Sequence, residues 1–344
     1  MVRATRKQLL DFGLDGPEPK SSSHGGTLDM DRRTFALAGA LVLALAAPAQ
    51  AFPDKPVTII VPFKAGGGTD ITTRTLAGPM AKALGAEIVV RNVAGAGGTI
   101  GAAETARARA DGYTVGMIPV GPMTTQPHLR KLPYAPDSFD YICQAYSAPS
   151  SLVVRKDSKF GSLKDMIGYA KANPGKLNYG IQAVGSIPHV AGLGIVEASG
   201  AKLEFIPFKG SAPTFKAMLD GTVDMFVAHI SFLTRNADQV KSIAMLMDHR
   251  VDTAKDLPTA KDQGFDLHFP IWGGLVAPKG IPAEARAKLE TACETGMTSE
   301  AFGARMAQLR MPVTHLGGDA FKAFVQSEFA KNEKLLRQAG LKKD

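Results

Sequence analysis

Apolar runs alternate with helical periodicities in the first half of the chain. The runs VTIIVPF (57–63), EIVVRN (87–92) and YTVGMIPV (113–120) are rich in β-branched residues and predict strands. Between them, residues 70–84 and 99–110 place apolar side chains at helical spacing. This β-α-β-α-β order predicts a parallel sheet whose strands are joined by right-handed crossover helices.

A second α/β pattern occupies residues 155–270, and a helical segment, residues 282–342, follows it. The runs SSLVVRKD (150–157) and WGGLVAPKG (272–280) stand at the two borders of this second unit. We expect these runs to be crossing strands that hinge two lobes around a cleft, with the helical tail returning to the first lobe. The predicted boundaries are 52–152 together with 277–344 for lobe 1, and 153–276 for lobe 2.

Two glycine-rich turns follow neighbouring strands, GGGTD (66–70) after the first and AGAGGTIG (94–101) after the second. Glycine lets other groups approach the backbone, and the first N–H groups of a helix have no partner within the helix and attract anions. Ligands of parallel sheets bind outside the carboxyl ends of the strands. The two turns therefore predict a site for a carboxylate or a similar oxyanion. The alternative is that both are tight, packed turns without a ligand.

Other kinds of site have weaker support in the sequence. The run GAGGTIG (95–101) fits a dinucleotide-like G-x-G-x-x-x-G pattern, but it follows the second strand of its unit rather than the first. Neither turn carries the Gly-Lys-Ser/Thr of a P-loop, and G-x-S-x-G and H-E-x-x-H do not occur. No nucleophile has an evident base. We therefore expect a protein that is not an enzyme, with no cofactor and no metal ion.

The N-terminal segment carries the features of an export signal. In residues 30–51 an arginine pair precedes an apolar run over 37–47, and the small-x-small sequence AQA stands at 49–51. The apolar run is shorter than the roughly 20 residues of a membrane span. We expect a cleavable signal peptide and a periplasmic protein, exported by the general or the twin-arginine route. Residues 1–29 are expected to be a disordered leader or to precede a true start at Met30.

Charge and cysteine content narrow the class of protein further. The 40 Lys and Arg residues exceed the 32 Asp and Glu residues by eight, and they are spread along the chain. This distribution favours a basic protein with solvated lysines over a nucleic-acid-binding protein. Cys143 and Cys293 lack the spacing of a zinc site. Each is expected to be a small buried residue, and the sequence leaves open whether the two form a disulfide.

Several segments together resemble the Bug-type extracytoplasmic solute receptors of tripartite tricarboxylate transporters. The likeness extends over residues 52–344 and is specific as a set, whereas no single segment is. The segments that carry it include FPDKPVTIIVPFKAGGGTDITTR, VVRNVAGAGGTIGAAETARARADGYTV, IPFKGSAPTFKAMLDGTVDMF and WGGLVAPKGIPAE.

The resemblance implies a type II periplasmic-binding-protein fold, in which two α/β lobes are joined by crossing hinge strands and close on a ligand. It also implies that the two glycine-rich loops of the first lobe hold a carboxylate of the ligand, partly through water, and that the second lobe sets specificity. The candidate ligand-binding residues are Phe63, Gly66, Gly67, Gly68, Thr69, Asp70, Ala96, Gly97, Gly98, Thr99, Gly121, Gly185, Ser186, His189, Lys209 and Asp224.

Three departures from the family pattern concern ligand identity rather than fold. Lys64 stands where a proline or a small residue is usual, the turn before Gly95 lacks its usual proline, and Phe208 replaces a frequent tyrosine. Lys64 either meets a second carboxylate of the ligand or is a solvated lysine at the cleft rim. Asp70 either caps the helix that follows it or accepts a hydrogen bond from a ligand amine or a bridging water.

The resemblance implies a periplasmic solute-binding protein that delivers a small carboxylate-bearing metabolite to the membrane subunits of a tripartite tricarboxylate transporter. We expect a monomer that binds no nucleic acid. Two alternatives remain at this level. One is an exported enzyme that uses the glycine-rich loops for an anionic substrate, and the other is an accessory protein that senses a ligand. The sequence does not identify the carboxylate.

Overall fold

The computed structural model describes residues 52–208, 210–309 and 311–342. The predicted leader (1–29), the predicted signal peptide (30–51) and Lys209 lie outside these residues. The described residues belong to one unit of the chain, Gln50–Asp344. None of the helices in the described part is both long enough and apolar enough to cross a lipid bilayer.

Eleven strands form in the described residues. In chain order they are β1 (Val57–Val61), β2 (Ile88–Asn92), β3 (Thr114–Pro119), β4 (Phe139–Ala148), β5 (Ser150–Arg155), β6 (Asn178–Ile181), β7 (Glu204–Pro207), β8 (Met225–His229), β9 (Val240–Met245), β10 (Ile271–Pro278) and β11 (Leu316–Gly317). Ten α-helices accompany them in the same part of the chain. They are α1 (Gly68–Leu84), α2 (Thr99–Arg107), α3 (Gln126–Leu129), α4 (Leu163–Ala172), α5 (Ile187–Ser199), α6 (Ser211–Leu219), α7 (Ile230–Arg235), α8 (Ala283–Met297), α9 (Glu300–Gln308) and α10 (Gly318–Gln338).

Six strands build the first sheet, in the order β11-β4-β10-β3-β1-β2. Strand β1 pairs in parallel with β2 and β3, whereas β10 runs antiparallel to both β3 and β4. The predicted β-α-β-α-β alternation is therefore present, with α1 and α2 as its crossover helices. Strand β1 is buried on both faces because helices cover the sheet on both sides, and this explains its continuous apolar sequence.

Five strands build the second sheet, in the order β7-β6-β8-β5-β9. Strand β6 runs parallel to β7 and β8, and β5 runs antiparallel to β8 and β9. Ser162 caps the start of helix α4, because its Oγ accepts a hydrogen bond from the backbone N–H of Asp165 at 3.0 Å. We call the parts of the chain built on the first and second sheets lobe 1 and lobe 2.

The chain crosses between the two sheets at two places, and a proline stands at each. Strand β4 ends at Ala148 in the first sheet, and β5 begins at Ser150 in the second. On the return, β10 begins at Ile271 and belongs wholly to the first sheet. We therefore propose lobe boundaries at Pro149 and Pro270 instead of residues 152 and 276. A proline cannot donate a ladder hydrogen bond, which is consistent with its place between sheets.

The helical tail lies against lobe 1. Strand β11 pairs with β4, and Phe321 of α10 packs edge-on against Tyr141 of β4 and Trp272 of β10. The same helix also reaches lobe 2, since the side chain of Lys334 forms an ion pair with Glu197 of α5 at 2.7 Å. Helix α10 therefore contacts both lobes.

Cys143 of β4 and Cys293 of α8 form a disulfide, with their Cα atoms 6.6 Å apart. Both residues are fully buried in the apolar cluster between the first sheet and helices α1, α8 and α9. The pairing that the sequence left open is thus present in the structure. It fixes a C-terminal helix to a strand of the first sheet.

Candidate ligand-binding site

The first glycine loop, residues 63–67, joins β1 to α1. Gly66, Gly67 and Gly68 are exposed, and no side chain caps the helix at Gly67. The first helical hydrogen bond of α1 runs from the backbone N–H of Ile71 to the carbonyl of Gly67 at 2.9 Å. The N–H groups that precede Ile71 in this first turn have no acceptor within the helix. The loop thus presents a bare helix N-terminus with a partial positive charge.

The carboxylate of Asp70 holds this loop in place. It accepts hydrogen bonds from the backbone N–H of Gly66 at 2.9 Å, from Arg74 Nε at 3.0 Å and from Asn92 Nδ2 at 2.9 Å. Burial alone would raise the pKa of Asp70, but these hydrogen bonds and the charge of Arg74 outweigh it and lower the pKa. Because Asp70 is 3% exposed and makes three hydrogen bonds, we infer that it positions the loop and does not contact a ligand.

The second glycine loop, residues 93–98, joins β2 to α2 through a left-handed backbone. Four successive residues have a positive φ, namely Gly95 (145°), Ala96 (48°), Gly97 (68°) and Gly98 (93°). Ala96 is the one non-glycine residue with a positive φ in the described part of the chain. A left-handed conformation costs an alanine roughly 1–2 kcal/mol. Ala96 and Gly97 are exposed, so their peptide groups are open to a ligand.

Gly98 lets the second glycine loop pack closely against the first, because it has no side chain. A Cβ atom at this position would lie 3.0 Å from Cζ of Phe63 in the first loop and 2.7 Å from Cγ of Pro122. The side chain of Asn92 adds a second link, because its Nδ2 donates both to the carbonyl of Phe63 at 3.0 Å and to Asp70. Since β1 and β2 are parallel neighbours, the N-termini of α1 and α2 open at the same edge of the sheet.

Three of the predicted lobe-1 residues have contacts that define their place. Thr69 Oγ1 hydrogen-bonds to the hydroxyl of Tyr146 at 3.0 Å, and Thr99 Oγ1 donates to the carbonyl of Ala96 at 3.0 Å. The carbonyl of Gly121 accepts from Thr125 Oγ1 at 2.9 Å. Burial raises the pKa of Tyr146 to about 12, so its phenol stays protonated and anchors the start of α1. Tyr146 was not among the residues predicted from the sequence.

Lys64 lies at the exposed tip of the first loop. Its carbonyl accepts a long hydrogen bond from the N–H of Gly67 at 3.4 Å, and its ammonium makes no ion pair within the described residues. Both interpretations of Lys64, as a ligand contact and as a solvated rim residue, are compatible with this position.

Lobe 2 contributes a loop over residues 182–186, which joins β6 to α5. Ser186 caps α5, its Oγ accepting from the backbone N–H of His189 at 3.4 Å. The Nδ1 atom of His189 accepts from the backbone N–H of Gly185 at 3.0 Å. Burial lowers the pKa of His189 to about 4, so the ring is neutral at pH 7 and carries its proton on Nε2. Ser186 and His189 thus shape the loop that holds Gly185.

The two lobes touch where Gly185 meets helix α3 of lobe 1. A Cβ atom at Gly185 would lie only 2.0 Å from Cδ1 of Leu129 and 3.3 Å from Nε2 of Gln126. A Cβ atom at Gly97 would lie 3.7 Å from Cδ of the same Gln126 side chain. The carboxamide of Gln126 therefore lies between the second glycine loop and the lobe-2 loop.

Gln126 was missed at the sequence level. It follows a π-helical turn, Gly121–Thr125, in a proline-rich segment that has no clear helix or strand pattern. Such turns frequently mark functional sites, but they have no reliable sequence signature. One signal was available, since Gln126 follows the third parallel strand, at the same sheet edge as the two glycine loops.

We infer that Asp224, which was predicted as a ligand-binding residue, lies away from this site. Its carboxylate accepts a hydrogen bond from the backbone N–H of Asn178 at 2.8 Å. Asp224 precedes β8, and Asn178 begins the parallel strand β6, so both lie at the amino edge of the second sheet. The lobe-2 loop lies at the opposite, carboxyl edge. Lys209 lies outside the described residues, so its prediction is neither supported nor contradicted.

Two α/β lobes, which are joined by two chain crossings at Pro149 and Pro270 and not by shared strands as the sequence predicted, have the architecture of a two-lobed solute-binding protein. Residues 72–341 match the family model of the tripartite tricarboxylate transporter family receptor, and the chain therefore belongs to this family. This result confirms both the resemblance to Bug-type receptors and the predicted fold class.

Individual relatives agree with this assignment. The UPF0065 protein in the TAR-I ttuE-ttuC' intergenic region of Agrobacterium vitis is 32% identical over 275 residues, 78% of this chain and 80% of that protein. The solved structure of the periplasmic binding protein BugD has 35% sequence identity and a TM-score of 0.72, and the match covers 85% of this chain and 100% of that one. MatC from Rhodopseudomonas palustris, solved with bound malate, has 29% identity and a TM-score of 0.71, with 83% and 100% covered.

Proposed function

We propose that this protein is a periplasmic receptor that encloses a small carboxylate-bearing metabolite between its lobes and delivers it to the membrane subunits of a tripartite transporter. It acts as a monomer and without catalysis, and residues 30–51 direct its export. The disulfide between Cys143 and Cys293 is consistent with an oxidising compartment such as the periplasm.

One observation carries the proposal, namely the pair of exposed glycine loops at one edge of the first sheet. Backbone N–H groups at two helix N-termini favour an anion, and the absence of side chains on Gly66, Gly67, Gly68 and Gly97 lets its oxygens approach them closely. The related MatC holds malate, which is a dicarboxylate. Closure of the lobes over the anion lowers the local dielectric and strengthens these hydrogen bonds.

Gly68→Ala tests the proposal with little risk to folding. A methyl group at Gly68 would have no atom within 4 Å outside its chain neighbours and its own helix, and the backbone there is not left-handed. It would, however, stand on the first residue of α1, in the exposed glycine turn that we propose holds the carboxylate. We expect isothermal titration calorimetry to show malate binding at least about tenfold weaker than in the wild type, with an unchanged melting temperature of the free protein.

Gly78→Ala is the matched control. It adds the same methyl group to an exposed position of the same helix, also without a contact within 4 Å, but away from the loops. We expect its affinity to equal that of the wild type, and the ligand should be recovered chemically unchanged after long incubation. Equal affinities of the two variants would contradict the assignment of the site. Conversion of the ligand to a product would contradict a receptor without catalysis.

A further inference from the structure

The side chain of Gln126 is buried between two glycines without a hydrogen bond to its carboxamide oxygen. Gln126 is 4% exposed, and its Oε1 has no partner in the described part of the chain. Two glycines from different loops lie next to the carboxamide, Gly97 of the second glycine loop and Gly185 of the lobe-2 loop. The polar end of Gln126 thus lies between the loops that form the proposed ligand site.

An unpaired acceptor in a buried position costs free energy, because the water that it loses is not replaced. This cost disappears when a hydrogen-bond donor arrives next to Oε1. The two flanking glycines place no side chain of their own against the carboxamide, so that only backbone separates it from the two loops. The carboxylate oxygens of a ligand are acceptors and cannot fill this role. The missing partner must therefore be an O–H or N–H group.

Hydrogen bonds fix the backbone turn from which Gln126 extends. The π-helical turn before it is fixed by two internal hydrogen bonds, from Thr124 Oγ1 to the carbonyl of Val120 at 2.8 Å and from Thr125 Oγ1 to Gly121 at 2.9 Å. Asn332 of helix α10 donates from Nδ2 to Thr124 Oγ1 at 2.8 Å. The backbone that carries Gln126 is thus held in place before a ligand binds.

We propose that Gln126 accepts a hydrogen bond from a hydroxyl or amino group of the ligand, so that the receptor prefers carboxylates that carry such a donor near the carboxylate. This inference rests on the proposed function, because it assumes that the glycine loops hold the carboxylate. It assigns recognition of the carboxylate to backbone N–H groups, and recognition of the second group to one side chain of lobe 1.

The experiment compares ligands that differ only in the donor. Calorimetry measures the affinity for malate, which has a hydroxyl, for aspartate, which has an ammonium, and for succinate, which has neither. We expect the wild type to bind malate or aspartate about tenfold more tightly than succinate. In Gln126→Met, which keeps the shape but removes the acceptor, this preference should disappear.

The variant Gln126→Glu keeps a hydrogen-bond acceptor at this position but changes its charge, so it separates the effect of the acceptor from the effect of charge. Its carboxylate can still accept a hydrogen bond, but its charge repels the anionic ligand. We expect weaker binding of malate and of succinate, with the preference for malate over succinate retained, whereas the ammonium of aspartate can pair with the new carboxylate, so that aspartate should lose the least affinity. Thermal unfolding of each variant without ligand checks that it folds.

Two results would overturn the inference, and they can be told apart. If the wild type binds all three ligands equally, or if Gln126→Met keeps the wild-type preference, Gln126 does not recognise a donor and the proposed function still stands. If none of the three ligands binds to the wild type, the proposed function fails for dicarboxylates of this size, and the inference fails with it.

Discussion

His189 shows how one buried side chain links the stability of the protein to pH. Its neutral ring accepts a hydrogen bond from the backbone N–H of Gly185, and burial lowers its pKa to about 4. In an unfolded chain the pKa of histidine is about 6.5. Between these two values the unfolded chain binds a proton that the folded protein does not. Acidification through this window therefore destabilises the fold by roughly 3 kcal/mol in total.

The variant His189→Gln tests this prediction. Glutamine can accept from Gly185 but does not titrate, so we expect the wild type to lose stability relative to the variant as the pH falls from 6.5 to 4. Urea denaturation at pH 8, 6, 5 and 4.5 measures the difference, in which the titration of all other groups largely cancels. A difference that stays constant over this range would show that His189 is not kept neutral by the fold.

The sequence predicted the glycine loops, which act through their backbone in the proposed site, and it did not predict Gln126, whose surroundings are set by distant contacts. The glycine loops have a local signature, since three glycines between a strand and a helix predict a bare helix N-terminus. Gln126 has none, because its environment depends on Gly185 in the other lobe. Asp224 stays a prediction, although it precedes a strand that runs parallel to β6 and so lies at the amino edge of the second sheet, away from the lobe-2 loop.

At the scale of elements, helix α8 packs against α1, the helix that follows the first glycine loop. Its Gly296 lies so close to α1 that a Cβ atom there would be 2.8 Å from Cδ1 of Leu76. Cys293, one turn earlier, joins α8 to β4 through the disulfide with Cys143. Helix α1, whose N-terminus presents the loop, is thus packed between the sheet and a helix that is covalently attached to it.

Removal of this disulfide is expected to destabilise the whole protein. The bond closes a loop of 150 residues, and the loss of a native disulfide typically costs about 2–5 kcal/mol. We expect the double variant Cys143→Ala/Cys293→Ala to unfold at a lower urea concentration than the wild type. Alanine is chosen because a buried serine would add an unpaired hydroxyl.

Reductant supplies the control for this measurement. Dithiothreitol should lower the unfolding midpoint of the wild type towards that of the double variant, and it should leave the double variant unchanged. Identical midpoints of the oxidised wild type and the double variant would show that the disulfide contributes no stability.

The order of elements was predictable because strands of β-branched residues and helices with periodic apolar positions alternate along the chain. The lobe boundaries were harder to predict from the sequence. The apolar pattern of the run SSLVVRKD is equally suited to a strand of the first sheet and to a strand of the second. Its pairing with β8 and β9 is decided by long-range contacts that a local pattern does not record. The disulfide likewise depends on the approach of α8 to β4, two elements far apart in the sequence.

At the scale of the whole molecule, the proposed function requires that the two lobes approach each other closely around the ligand. They meet at Gly185, where an added Cβ atom would lie 2.0 Å from Cδ1 of Leu129. Gly185→Ala therefore inserts a wedge between the lobes without changing the glycine loops of lobe 1. We expect it to hold the lobes apart and to weaken malate binding by about tenfold or more, since the carboxylate then stays hydrated.

Gly185 also has a left-handed backbone, with φ 74°, so alanine strains the local chain as well. Gly200→Ala controls for this strain, because Gly200 lies in the same lobe with φ 68° and has no atom within 4 Å of an added Cβ outside its chain neighbours. It should lose stability but keep its ligand affinity. Leu129→Ala, combined with Gly185→Ala, removes the side chain that the wedge meets and should restore much of the affinity.

Small-angle X-ray scattering measures the closure itself. Ligand should reduce the radius of gyration of the wild type and of Gly200→Ala, and it should reduce that of Gly185→Ala much less. If Gly185→Ala closes and binds as the wild type does, the contact with Leu129 does not limit the approach of the lobes. If affinity falls but the double variant does not recover it, local strain in the lobe-2 loop, rather than the distance between the lobes, controls binding.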